Sequence, residues 1–508
     1  MNGNQNKQAV KKQYLIILVL LQIWAVKAAA QIVNYPAPQG AALNNDFTIK
    51  VKQGSQKWQT VAAYTAMVNN VIGTKSNIEN TSFAYFDFSG RVEVMVTSNK
   101  AIVQGADIKP VSAGVAAKIT GNIIAFSLDR PCNLSIEING DRFHNLQLFA
   151  NGLEVNKPLS ADTGLYYFGP GIHNIGSLKV PSNKKVYIAG GAVVEGQLLI
   201  DHAENIKVYG RGILTQLPQQ NAKDETGAIS RQNQRGSRND ELTINFSKNV
   251  AVDGIILLPH KYSVFIGQSK DVSINNIKSF SSEGNADGLD IFCSSNINID
   301  HIFMRNADDC IAIYGHRWNF YGNTQNVKVS NSILWADVAH PILAGTHGDP
   351  QHPDTLGNMQ FTNIDILDQH ENQLDYQGCI ALNAGDANLI KDIKFENIRI
   401  ADIRKGQLFN LRVMYNHKYN TAAGMGIENI YFKDISYTGH NAGMSIIAGY
   451  DEGHMVKNIT FENLNINGTV IADDMSGKPG FYKTGDMANI FIGEHVGEVR
   501  FIKGDTIK

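Results

Sequence analysis

The sequence predicts an all-β protein, a right-handed parallel β-helix preceded by a small N-terminal β-sandwich. Short apolar–polar alternations fill the chain, and helical periodicity is almost absent. From about Pro158 one strand-like phrase recurs at intervals of a few tens of residues, the mark of a stacked solenoid. Within that series lie two related acidic phrases, Asn285-Ala286-Asp287-Gly288 and Asn306-Ala307-Asp308-Asp309, whose first aspartates are 21 residues apart.

Residues 1–30 follow the plan of a secretory signal. Lys7, Lys11 and Lys12 precede an apolar run from Tyr14 to Val26, and Ala28-Ala29-Ala30 offers a cleavage site before Gln31. The run is shorter than the ~20 residues that span a bilayer. The expectation is a secreted or periplasmic protein with no membrane span after cleavage. With 45 Lys+Arg against 47 Asp+Glu, the net charge of −2 creates no global field for nucleic acid or an anionic membrane. The four cysteines, Cys132, Cys293, Cys310 and Cys379, form no CxxC pair, which argues against a disulfide framework or zinc site.

Residues 31–157 read as the sandwich domain. Phe47–Val51, Val92–Val96, Ile123–Leu128 and Leu134–Ile138 alternate as antiparallel strands do, and turn residues such as Asn139-Gly140-Asp141 separate them. They show no nucleophile or metal constellation.

Residues 158–508 read as the solenoid. The recurring phrase is a polar pair, then apolar–x–apolar, as in Asn205-Ile206-Lys207-Val208, Asn249-Val250, Asp271-Val272, Asn296-Ile297, Asn326-Val327, Asn358-Met359, Asp392-Ile393, Asn429-Ile430 and Asn458-Ile459. The intervals are 44, 22, 25, 30, 32, 34, 37 and 29 residues, and the first is read as two coils. Asn ladders at the corners and stacked Ile, Val and Phe inside would hold such a solenoid together. The longer coils after Ile313 imply loops, Gly315 to Thr324 and Thr346 to Leu356, that bulge outward and could wall a groove.

If 21 residues complete one coil, Asp287 lies beside Asp308 at the inter-strand spacing of about 4.8 Å, and Asp309 joins them. Grouped acids raise one another's pKa, so one can stay protonated while another stays ionised. Glycosidic hydrolysis requires that division. The alternative is that Asn and Asp merely serve tight corners.

These residues resemble the parallel β-helix glycoside hydrolases typified by polygalacturonases (glycoside hydrolase family 28) and by dextranases and isopullulanase (family 49). Asn285-Ala286-Asp287 stands for the NTD phrase of the polygalacturonases and Ala307-Asp308-Asp309 for their G/QDD phrase. Ala339-His340-Pro341 falls where their GHG segment belongs. Their RIK phrase is missing, replaced by Ile380-Ala381-Leu382-Asn383 without a cation, while the N-terminal sandwich and the run Asp337 to Gly348 look more like the dextranase side. The resemblance implies a pectin-lyase-like solenoid and single-displacement, inverting hydrolysis. Asp308 would be the general acid, Asp287 and Asp309 would hold and deprotonate water, and His340 would hold a proton in place. Inverting enzymes keep acid and base ~6.5–9.5 Å apart, and neighbouring coils could bring this pair closer.

Further candidates for binding substrate are Asn285 beside the acids, and His316, Arg317 and Trp318 in the first enlarged loop, where a guanidinium beside an indole can stack on a sugar or take an anion. Arg412 and Tyr415 lie one coil beyond the missing RIK. Asp349, His352 and Asp354 are too irregularly spaced to argue for a metal. The expectation is a polysaccharide or oligosaccharide as substrate, no cofactor, no required metal and a monomer. A polysaccharide lyase on the same solenoid and a non-catalytic carbohydrate-binding β-helix are the competing readings.

Overall fold

The computed structural model describes residues 30–155, 157–216 and 240–504, so the proposed signal segment lies outside the described residues. The N-terminal part is a sandwich of two sheets. One pairs Gln31–Asn34, Lys75–Ser89, Asp141–Gly152, Cys132–Ile138 and Ala106–Lys109 in that order, with Ala63–Ile72 added against Lys75–Ser89. The other runs Gln59–Val61, Phe47–Lys52, Val92–Ser98, Ile123–Leu128, Lys118–Thr120. Alternate residues of both sheets, among them Ile49, Val94, Ile124, Phe86, Ile136 and Leu148, meet in one core.

The first sheet departs from the antiparallel expectation, because Asp141–Gly152 pairs in parallel with Lys75–Ser89. Its strands show the reason. Thr81 to Phe88 is buried at every residue rather than at alternate ones, as parallel strands covered on both faces are. Tyr64, Phe83, Tyr85 and Phe149 on its second face pack on Ile256, Phe280, Phe303 and Trp335 of the solenoid.

The solenoid is a parallel β-helix whose coils each contribute to three sheets. In one coil these are Ser295–Asp300 (sheet I), Phe303–Asn306 (sheet II) and Ile311–Tyr314 (sheet III). Parallel pairing links each strand to its equivalent one coil away. The expected ladders are present. Asn326 Nδ2 donates to Asn296 Oδ1 at 2.9 Å and Asn358 Nδ2 to Asn326 Oδ1 at 2.5 Å. Asn296, Asn326 and Asn358 all have φ between 51° and 59°, a left-handed conformation that asparagine tolerates better than most residues. Inside, Phe361, Phe395, Phe432, Phe461 and Phe501 stack with centroids 4.7–5.1 Å apart.

One interval needs correction. The 44 residues between Asn205 and Asn249 are a single coil, since Ile206 pairs with Val250 and Asn249 Nδ2 donates to Asn205 Oδ1 at 2.7 Å. The surplus chain lies in residues 217–239, outside the described residues.

Buried charges tie the two parts together. Arg305 Nε donates to Asp337 Oδ2 at 3.1 Å, and Arg404 Nε to Asp368 Oδ2 at 2.6 Å. The sandwich supplies Arg142, 3.3 Å from Asp368, and Asn145, which accepts from Arg305 Nη1 at 3.0 Å. Arg305, Asp337 and Asp368 are all fully buried, so removing one partner strands a charge without water. Asp337→Ala is expected to cost about 3–5 kcal/mol in denaturant unfolding; a loss under 1 kcal/mol would contradict this account of the interface.

Candidate active site

The acids occupy the corner between sheets II and III. Each coil turns there just before its sheet III strand, so the turns Ser281–Gly288, Ala307–Cys310, Asp337–Pro341 and His370–Cys379 stack side by side. Between the first two, the repeat is 22 residues, since Leu289 pairs with Ile311. Asp287 therefore stands opposite Asp309 rather than Asp308. Gly288 N–H donates to the Asp309 carbonyl at 2.8 Å, and Asn285 N–H donates to Asp308 Oδ2 at 3.1 Å. Gly288 is required here, because a Cβ would come within 2.4 Å of the Cys310 carbonyl oxygen.

The turns are cross-braced by buried polar groups. Ser281 Oγ donates to the Ala286 carbonyl at 2.6 Å and accepts from Ala307 N–H at 3.1 Å and Asn306 Nδ2 at 3.0 Å. The loop carrying Asp287 is thus fixed to the loop carrying Asp308 and Asp309.

Exposure and protonation differ among the acids. Asp287, Asp290 and Asp309 are buried, at 6%, 1% and 4% exposure, whereas Asp308 is part-exposed. Burial, then Asp309 beside it, pushes the Asp308 carboxyl up to about 7. Asp287 is also raised, by burial first and then by Asp290, Asp308 and Asp309. Burial likewise raises Asp290, which shares a hydrogen bond with Asp287.

His340 is fully buried. Its Nδ1 lies 2.7 Å from Asp309 Oδ1 and its Nε2 2.8 Å from the Tyr376 carbonyl oxygen. Both ring nitrogens face oxygen partners. Burial alone would lower its pKa, but Asp309 and the hydrogen bond to it reverse that and raise it. His340 N–H donates to the same Asp309 oxygen at 3.0 Å. Asp309 and His340 thus form a buried pair joined by two contacts to one carboxylate oxygen.

The other expected residues take several places. Asn285 meets Asp308 through its backbone while its side chain is exposed. His316 is anchored through its N–H to Asp354 Oδ2 at 2.6 Å, which ties together the two bulging loops. Arg317 lies 4.2 Å from the Trp318 ring and 5.4 Å from Tyr314, close enough to lower Asp290. Trp318 is 44% exposed and packs 5.3 Å from Phe292. Arg412 pairs with Asn383 across sheet III, facing outward. Its Nε is buried without a partner among the described residues. Tyr415 is part of the same loop region, 4.4 Å from His417. Asp349 pairs with His352 at 2.8 Å. Among the described residues no group of three or more His, Cys, Asp or Glu is placed to hold a metal, and the four cysteines are unpaired.

Four contributors were missed in the sequence. Asp290 is the second acid of Asn285-Ala286-Asp287-Gly288-Leu289-Asp290, and its place three residues after Asp287 was the signal for it. Asp240 and Glu371 act electrostatically on Asp290 and on Asp308 and His340 respectively. Nothing in sequence marked Tyr376, whose carbonyl fixes His340 and whose ring lies edge-on at 4.6 Å.

A parallel β-helix with buried, braced carboxylates at one corner defines a solenoid with a chemically prepared site. The chain belongs to glycosyl hydrolases family 28, whose model matches residues 178–478. It is similar to Endopolygalacturonase B of Aspergillus niger, 23% identical over 225 residues, which is 43% of this chain and 55% of that one. The chain spans between 33% and 58% of the length of such curated relatives. In fold it matches Dex49A from Penicillium minioluteum, with TM-score 0.67, 15% identity and coverage of 92% of this chain and 96% of that one. It also matches a Yersinia enterocolitica family 28 exopolygalacturonase, with TM-score 0.50, 11% identity and coverage of 82% and 97%.

Because Asp308 is protonated more readily in the folded state, its contribution to stability is present below the carboxylate's usual 3.8 and is lost as pH rises through about 7. Asp308→Asn escapes that loss. Its melting temperature relative to wild type is expected to climb between pH 4 and 7 and level off above, measured by differential scanning calorimetry. A difference that does not change with pH would show that Asp308 titrates normally.

Proposed function

We propose that the protein hydrolyses O-glycosidic bonds of a polysaccharide, or of oligosaccharides derived from it, by single displacement with inversion. The observation that carries this reading is Asp308. It is the accessible carboxyl of the cluster, its pKa is raised to about 7, and it adjoins the buried Asp309–His340 ion pair. A carboxyl raised toward neutrality adjoins a carboxyl partnered by an imidazole, the two kinds of group that acid–base catalysis uses.

Asp308 donates its proton to the leaving glycosidic oxygen. Asp309, paired with His340, takes the proton of the attacking water, and Asp287 positions that water. His340 acts through Asp309 and is a positioning residue. Family membership supports the hydrolase over a lyase or an inert binder, and the curated relatives point to uronate polymers. The coil expected to carry the cation pair of the polygalacturonases has no cation in Ile380-Ala381-Leu382-Asn383, and Arg412 pairs with Asn383 one coil further on. We assign Arg412, with Arg317 and Trp318, to substrate binding. Among the described residues no helix is long and apolar enough to cross a membrane, and the signal-like leader supports export.

Asp308→Asn is expected to lower kcat by roughly 10²–10⁴-fold in a reducing-end assay, the usual worth of a general acid. Wild-type kcat/KM is expected to fall about tenfold per pH unit above about 7, as Asp308 loses its proton. Activity that survives the substitution would remove Asp308 as the acid. For Arg412→Ala, KM on the true substrate should rise about tenfold or more with little change in kcat. An unchanged KM would exclude Arg412 from the groove.

A further inference from the structure

Beside the acid corner lies a cavity of ≈ 350 Å³ between the sandwich and the solenoid. We propose that it is a subsite for an ester-bearing sugar unit of the substrate, one carrying an O-acetyl or methyl-ester group. This proposal rests on the hydrolase reading above.

The floor is the outward face of sheet II. Val193 and Ile213 pair with each other, Thr215 pairs with Leu258, and all four line the cavity. Ala66 and Met67 of the sandwich form the opposite wall. An unsubstituted, hydroxyl-rich ring pressed on such a floor would leave its hydroxyls without partners, at a cost of roughly 1–3 kcal/mol each. A methyl or acetyl group buries there without that cost. The rim is polar, with Glu195 and His260 placed to meet the ring hydroxyls that stay outside. At ≈ 350 Å³ the cavity is at the small end of ligand sites, which commonly run about 300–1,000 Å³, so it suits one substituted sugar rather than a chain.

Continuity with the acids decides the occupant. Ser281 and Ser282 line the cavity. The same Ser281 hydroxyl bonds to Ala286 and Ala307, the residues that immediately precede Asp287 and Asp308. Asn69 of the sandwich donates to the Ser282 carbonyl at 2.8 Å, fixing this partition from the other side. The turn that begins at Ser281 and Ser282 of the cavity wall runs on to Asp287.

The test compares kcat/KM of the purified protein on a methyl-esterified pectin, an O-acetylated pectate and the fully saponified polymer. At least one esterified form is expected to be cleaved about tenfold or more faster, and the two esterified arms distinguish methyl from acetyl recognition. Ala66→Trp, which fills the cavity, should bring that ratio to near one and leave the rate on the saponified polymer unchanged. If Ala66→Trp fails to fold by its melting curve, Met67→Asp at the exposed rim takes its place.

A wild-type ratio near one, or a ratio that both variants preserve, overturns the subsite. If no pectic polymer is cleaved, the substrate reading has failed, and saturation-transfer NMR decides the subsite separately. The methyl glycoside of methyl galacturonate and that of its 3-O-acetyl ester should each be saturated through the ester methyl in wild type and not in the cavity variant. Absence of saturation in wild type overturns the proposal.

Discussion

The in-register pairing of Leu289–Phe292 with Ile311–Tyr314 is the constraint on which the site depends. Stacked strands stand about 4.8 Å apart, so this pairing sets Asp287 against Asp309 whatever their mutual repulsion. A solvated loop would let such groups separate. Here Gly288 closes against Cys310, and Ser281 bridges the two turns. The repulsion is relieved by protonation, so Asp287 and Asp308 are driven up, while Asp309 pairs with His340.

The sandwich belongs to this arrangement. Its first sheet is covered on both faces, and its Arg142 and Asn145 enter the charge network of Arg305, Asp337, Arg404 and Asp368. Arg305 lies three residues before Asp308, and Asp337 three before His340. The domain contact and the turns carrying Asp308 and His340 therefore share the same few residues of backbone.

Much of this was legible in the sequence because a solenoid repeats its local rules. Asn296, Asn326 and Asn358 mark the corners by their left-handed backbone, and the doubled Asp308-Asp309 stood out against them. Register to within one residue was not legible. A 21-residue spacing between motifs places Asp287 beside Asp308, while the strands repeat at 22 and place it beside Asp309. The extra residue is absorbed in the turn, where no periodicity records it. The 44-residue coil misled for a related reason, since an insertion within one coil and a second coil have the same length. Tyr376 and Glu371 were hidden because they reach His340 from a loop two coils past Asp308, by contacts that depend on how the chain closes over the corner.

The central claim is that Asp308 is a protonated acid beside the buried Asp309–His340 pair. The most direct measurement is a carbon-13 NMR titration of aspartate carboxyls in wild type, with Asp308→Asn used to assign the resonance. The account predicts a carboxyl that titrates near 7 and vanishes in the variant. A missing resonance with a midpoint near 4 would contradict it, because the site would then hold no proton to give at neutral pH.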